Sequence, residues 1–331
     1  MAEDYPYPVA LPYGIARDEG KELVRRVWAV QFTALQAVKL TTLPLVAQYL
    51  YDPAETEALG SRDPHALNAL NRAIAGIRHP YYSDWLTLLA TMSERLDRLG
   101  IQPVFPVGPL WDRLQQQVLP LSQAYAPPGR NSLSLLEAMQ FLRNGLFHGG
   151  LAPPPEECRQ LLDHYLPILD RLLGAFAFLA GGEWLARAQD VPTAGEQKVR
   201  VQRLRGATLP EPETIDLDER LRDAFQQSDI VLRVNDQVLP LHPLFYHQPT
   251  EPCAQYDGHF ARQDGRTGAV LYLGVYHRFE EEAAFGALRE KLERRRVQWW
   301  LSREQTAPWT LYDSVRHYAT QTLEDLRGQK Y

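Results

Sequence analysis

Cysteine is nearly absent from this chain: Cys158 and Cys253 are the only two in 331 residues. That excludes a disulfide scaffold and fits a reducing compartment. Long apolar runs are missing too. No stretch approaches the roughly 20 residues a membrane-spanning helix needs, and the longest, around 172–182, reads as a buried helix. The start, Met-Ala-Glu-Asp-Tyr-Pro-Tyr-Pro, lacks the basic and apolar regions of a signal peptide. A cytoplasmic protein without a membrane segment is the expectation. There is no basic excess, since the formal net charge is −6, so any contact with nucleic acid must be local. The glycine patterns of P-loops and dinucleotide-binding turns are absent, as is a Gly-x-Ser-x-Gly elbow, which argues against an ATPase, a dehydrogenase or an ordinary serine hydrolase. No cofactor is expected. His242, His247, Cys253, His259 and His277 are metal-capable types, but their spacing fits no zinc pattern, so no metal site is expected either.

What the sequence does hold is apolar residues at 45%, enough for real cores, and a length that predicts two domains. The fold class is expected to be α+β. Residues 1–190 should form an all-helical bundle, and residues 195–331 a smaller α+β domain with an antiparallel sheet that senses, docks or regulates. Tyrosine and proline over 5–16 predict an extended arm. Helices are expected at about 18–51 (with Pro44 kinking or dividing it), 63–78, 85–99, 109–125, from Asn131-Ser132 through His148, and 156–188. In the second domain, strands are expected at 198–205, 230–234, 238–244 and 269–278. A loop should span 210–218, a short helix 218–227, and two terminal helices about 280–303 and 308–327.

The richest stretch chemically is Phe141-Leu142-Arg143-Asn144-Gly145-Leu146-Phe147-His148-Gly149-Gly150. At helical spacing Leu135, Met139, Leu142 and Leu146 make one apolar stripe for a bundle core. Glu137, Gln140, Asn144 and His148 line the opposite face. Arg143 lies between the two, about 140° from His148 on an ideal helix. Gly149-Gly150 and Pro153-Pro154-Pro155 stop the helix, which leaves the histidine in its last turn. Metal-independent RNA cleavage needs a base for the 2′-hydroxyl, an acid for the leaving oxygen and positive charge on the phosphate. Histidine fills either proton role near neutrality, and arginine grips phosphate through its planar fork. Asn144 can orient the phosphate or fix the histidine tautomer. One copy offers a single proton-transfer group here, which makes a symmetric dimer with two facing motifs attractive. The plain alternative is that all three residues simply cap and stabilise a helix end.

Arg143-Asn144-x-x-x-His148 at the end of an amphipathic helix, in an all-helical region, resembles the Arg-x4–6-His signature of HEPN domains over roughly residues 18–188. The resemblance implies a metal-independent endoribonuclease, a hydrolase acting on an RNA substrate as a homodimer with a composite site. It makes Arg143 and His148 catalytic and Asn144 supporting. It also implies an effector in prokaryotic antiviral defence or a toxin–antitoxin system. Separately, a regulatory protein or a nucleotide signal is expected as partner of the C-terminal domain. Many HEPN relatives are non-catalytic dimerisation or interaction modules of bacterial signalling and defence complexes, and that alternative stays open. Two basic features remain. Lys198–Arg205 can meet an acidic partner or a phosphate backbone, or be a solvated strand face. Arg294-Arg295-Arg296 ahead of Trp299-Trp300 can stack bases or be the basic outer face of a helix.

Overall fold

The structure is a computed structural model. It describes residues 2–76, 82–108, 110, 114, 118–120, 132–148, 153–188, 195–208, 210–242, 244–248, 270–273, 290–291 and 294–296. Among these residues the protein is mostly helical, with eight α-helices and a five-stranded antiparallel sheet, in keeping with an α+β fold. The chain divides into two compact units, each drawn from separate stretches: residues 1–41, 105–181 and 205–208 form the first, and residues 42–104, 182–204 and 209–331 the second.

In the first unit, α1 (Tyr7–Arg17) replaces the expected extended arm. Pro6 caps it and Pro8 falls in the first turn, where a missing N–H costs nothing. Pro12 is tolerated because the helix buries Val9, Ala10, Tyr13, Ile15 and Ala16. Two side chains fix α1 and the segment before it to α7 (Pro155–Ala175): the Tyr5 hydroxyl donates to the Leu173 carbonyl at 2.7 Å, and the Tyr13 hydroxyl to Asp170 at 2.9 Å. Burial pushes the Tyr5 phenol up to about 12, with Tyr13 and Asp4 acting the same way.

Helix α2 (Leu23–Tyr51) begins five residues after the expected start, and Pro44 does not divide it. Val27, Val30, Ala34, Ala37 and Val38 are buried along it, while Leu23 at its start is half-buried. Later in the unit, Val118–Pro120 (β1), inside an expected helix, pairs antiparallel with Ser132–Ser134 (β2). The motif helix therefore opens three residues later than expected, as α6 (Leu135–His148).

In the second unit, α3 (Thr56–Arg62) was not anticipated, while α4 (Pro64–Gly76) and α5 (Tyr82–Arg95) match expected helices with shifted ends. The long helix expected to reach residue 188 stops at Ala175, and Glu183–Arg187 becomes β3. A 3-10 turn over Ala177–Gly181 follows the helix, and the Gly181-Gly182 pair closes that turn before the strand. A Cβ on Gly182 would meet Leu232 Cδ1 at 3.1 Å, so this corner is tightly filled. The sheet runs β5-β4-β3-β6-β7, with β4 at Lys198–Arg203, β5 at Glu213–Asp216, β6 at Ile230–Val234 and β7 at Gln237–Pro240. β5 lies in the expected loop, whereas β4 and the β6–β7 hairpin follow the sequence reading. Asn235 takes φ +52° in that hairpin turn, a conformation asparagine tolerates.

Helix α8 (Glu219–Gln227) starts where Asp218 accepts the Leu221 N–H at 2.8 Å. Its Leu221, Ala224 and Phe225 close over Leu185, Val199, Val201 and Val231 of the sheet. Strands β8 (Phe245–Gln248) and β9 (Val270–Leu273) form a separate antiparallel pair. Apart from residues 290–291 and 294–296, the terminal helices expected at 280–303 and 308–327 lie outside the described residues, as does the expected boundary at 189–194. Among the described residues, no helix is long and apolar enough to cross a membrane.

Beyond the part covered by α8, Glu183 pairs with both Arg203 and Arg233, and Arg203 also reaches Glu213. Burial raises the Glu183 carboxyl, but the two guanidinium partners outweigh it and hold the pKa below its ordinary 4.5. A carboxyl lowered in the folded state adds stability above its unfolded pKa, and that stability is lost as pH falls through the folded value. Urea unfolding of wild type and Glu183→Gln should therefore differ most at neutral pH and converge below about pH 4.5; a constant gap across that range would contradict the assignment.

Candidate functional site

Helix α6 carries the three residues singled out from the sequence. Its apolar stripe is buried as expected: Leu135, Met139, Leu142 and Leu146 are all at most 8% exposed. It packs beside α7 in the first unit. The start of α6 is fixed by a reciprocal pair. The Ser134 backbone N–H donates to the Glu137 carboxylate at 2.9 Å, and the Glu137 N–H donates to Ser134 Oγ at 3.3 Å. This is a capping box, Ser-x-x-Glu, in which both side chains satisfy N–H groups that the first turn leaves without partners. The helix start expected at Asn131-Ser132 therefore falls at Leu135, behind the Ser134 cap.

Arg143 and Asn144 are both partly exposed on α6. The Arg143 Nη1–H donates to Asn144 Oδ1 at 3.1 Å. The structure thus brings together two of the three residues, one step apart in sequence. The acceptor is the neutral amide oxygen of Asn144. His148 is the last residue of α6, and its side chain lies outside the described residues. Glu137, on the same polar stripe, is engaged in the capping box and is not a spare carboxylate.

The other features resolve differently. His242 is half-buried in the second unit. Burial holds its pKa below the ordinary value, Asp229 opposes that, and Lys291 reinforces it. The side chain of His247, and all of Cys253, His259 and His277, lie outside the described residues, among which no cluster of three or more metal-capable side chains occurs. In Lys198–Arg203 the valines Val199 and Val201 are buried while Lys198 and Arg200 are exposed. That is the alternation expected of a half-buried strand, and Arg203 is already paired.

The Arg294-Arg295-Arg296 run is not a free cationic patch. Arg295 is 5% exposed. Its guanidinium donates to the Ala54 carbonyl at 2.6 Å and to the Asp52 carbonyl, and lies 5.2 Å from the centre of the Tyr49 ring. Asn71 closes the arrangement. Its Nδ2 donates to the Arg295 carbonyl at 2.7 Å, and its Oδ1 accepts the Tyr49 hydroxyl at 2.6 Å. Thr56 donates to the Arg294 carbonyl at 2.7 Å, and Arg296 pairs with Glu57. Nothing in the sequence marked Arg295 apart from its two neighbours, because its partners are backbone carbonyls some 240 residues away in the chain.

Comparison of the chain with family models, with curated proteins and with solved structures finds no match.

Two outcomes follow from these contacts. Ser134→Ala should lower unfolding stability by about 1 kcal/mol, the usual worth of an N-cap, measured by denaturant titration. Arg295→Ala should cost more, about 2 kcal/mol or above, because it strands two carbonyls and opens the space over Tyr49. Equal stability of Arg295→Ala and wild type in the same titration would show the clamp to be superficial.

Proposed function

We propose that this protein is a metal-independent endoribonuclease, with Arg143, Asn144 and His148 as its catalytic set. One observation carries the reading: a partly exposed guanidinium is pre-oriented by a neutral amide at 3.1 Å, on the helix that ends at His148. Phosphoryl transfer with RNA as its own nucleophile asks for little else. The ribose 2′-oxygen attacks phosphorus, the bond to the 5′-oxygen breaks, and the products are a 2′,3′-cyclic phosphate and a 5′-hydroxyl. His148 removes the 2′ proton or protonates the departing 5′-oxygen. The histidine of a second copy, in a symmetric homodimer, performs the other transfer. Arg143 neutralises charge growing on the phosphorane, where a fixed cation is worth most, and Asn144 keeps the guanidinium in register. On this reading the protein serves as an effector of prokaryotic defence or of a toxin–antitoxin system, with a regulatory protein or nucleotide signal acting on the second domain.

The net charge of −6 favours a second reading, in which the helical unit is a non-catalytic dimerisation or interaction module of a signalling or defence complex. Polyanions are then repelled rather than recruited.

Incubation with a mixed RNA pool in excess EDTA separates the two. The wild type should cleave and leave 2′,3′-cyclic phosphate ends. His148→Ala should lose at least about 100-fold in rate, the lower bound for acid–base help, and Arg143→Ala a comparable factor, with circular dichroism and sizing unchanged. Cleavage abolished by EDTA, or full activity in His148→Ala, would sink the mechanism. Intact RNA with folded wild-type protein would favour the interaction module.

A further inference from the structure

Within the second unit, residues 294–296 meet the end of α2, the turn after it, α3 and α4 through cations and peptide groups. The middle arginine is the anchor. Arg295 is buried, its guanidinium edged by the Asp52 and Ala54 carbonyls and covered by the Tyr49 ring. The peptide groups beside it are gripped as well. Thr56 donates to the Arg294 carbonyl and Asn71 to the Arg295 carbonyl, both at 2.7 Å. Tyr49 and Asn71 are themselves joined at 2.6 Å, so these walls are tied together without help from the arginine. One side chain in a pocket and consecutive carbonyls held by side chains is how folded domains take up peptides: main-chain bonds give affinity and the pocket gives specificity.

Three observations show that this specific contact is made against resistance. First, the guanidinium leaves water for neutral carbonyls and a ring, with no ion pair to a carboxylate among the described residues. Burial lowers its pKa and Arg294 adds to that, while Tyr49 and Asp52 oppose it. A cation desolvated in this way loses hydration that its new partners return only in part. Second, Arg296 takes φ +56°, in the left-handed region where a long side chain is strained. Third, the outer ion pairs are solvated. Arg296 and Glu57 are 67% and 65% exposed, and the Arg294–Glu290 pair is exposed to the same degree, so neither adds much. Precise recognition offset by strain and desolvation is the condition for a segment that opens locally while the rest of the unit stays folded.

We propose that Tyr49, Thr56, Asn71 and the carbonyls of the 52–54 turn form a receptor for an arginine-bearing peptide, filled in cis by residues 294–296 and open, when they leave, to an arginine-bearing segment of a protein partner. The proposal is independent of the nuclease reading, and its test has no enzymatic readout.

Arg295→Ala empties the pocket and leaves its walls unchanged. A capped peptide of the chain's own residues 290–296, Glu-Lys-Leu-Glu-Arg-Arg-Arg, should bind this variant saturably at one site in isothermal titration calorimetry at about 0.15 M salt, where diffuse attraction is largely screened. The same peptide with lysine for its middle arginine keeps the charge but lacks the planar fork, and should bind at least about tenfold more weakly. The wild type supplies a second reading whether or not the variant folds. The Arg295 N–H donates to the Lys291 carbonyl at 3.1 Å. In hydrogen exchange it should exchange on the order of a hundredfold faster than the amides of the buried Leu45 and Val46 in α2. Excess arginine peptide should speed it further, and the lysine peptide should not. No binding to folded Arg295→Ala, or equal binding of the two peptides, would overturn the proposal. So would an Arg295 amide that exchanges with those of α2 and ignores the arginine peptide.

Discussion

Helix α2 has no solvated face from Val27 to Leu50 apart from a few half-buried positions, and that constraint shapes much of what surrounds it. A helix buried all round has little water for its polar groups, and the buried Gln31 Oε1 and Gln36 Oε1 have no hydrogen-bond partner among the described residues. The threonines turn back on their own helix. Thr33 Oγ1 donates to the Ala29 carbonyl at 2.7 Å, and Thr41 Oγ1 to the Ala37 carbonyl at 2.9 Å. Near its end the helix changes strategy and becomes a receptor for other segments. Tyr49 meets Asn71 and Arg295, Tyr51 meets His242 and Lys291, and Gln48 anchors residues 102–104. Burial pushes both tyrosines up to about 12, so they act as neutral donors at any physiological pH. The last turn of α2 is thus where sequence-distant parts of the second unit are held together.

The parts of the fold that were legible in the sequence are those governed by local periodicity. The apolar stripe of α6 is set by its leucines and methionine, and the β6–β7 hairpin by two apolar runs on either side of Asn235-Asp236. Helix α8 announces itself with Asp218 at its cap. The failures have equally specific causes. Proline content suggested an extended arm over 5–16, but burial of Val9, Tyr13 and Ile15 outweighs the loss of a donor at Pro12. Leucine spacing through 156–188 hid the change of period at Gly181-Gly182, beyond which Trp184, Leu185 and Ala186 are all buried in a strand. A continuous buried run carries neither helical nor strand periodicity, so the glycines were the informative residues.

The candidate site was legible in part for the same reason. Residue type and spacing put Arg143 and Asn144 on one helix end. They could not say that the amide would accept from the guanidinium, since side-chain pairing between neighbours depends on rotamers that packing selects. Arg295 is the reverse case. A run of three arginines reads as a solvated or anion-binding patch, and composition cannot show that the middle one is withdrawn into carbonyls. Its partners are peptide groups, which carry no sequence signal at all.

These two arginines illustrate how one side chain does opposite work. Arg295 is desolvated: burial lowers its pKa, and the Tyr49 ring and Asp52 only partly offset that. A guanidinium tolerates such a place because its charge is spread over a plane that carbonyls can edge and an aromatic ring can cover. That charge is spent on architecture. Arg143 keeps partial exposure, and its guanidinium donates to the neutral Asn144 amide oxygen. Electrostatic help in a reaction requires a cation that is already oriented but not already neutralised. Of the arginines singled out from the sequence, Arg203 and Arg296 are neutralised by carboxylates and Arg295 is buried on carbonyls. On α6 a neutral amide oxygen is one partner of Arg143, whereas carboxylates hold Arg203 and Arg296 and peptide carbonyls hold Arg295.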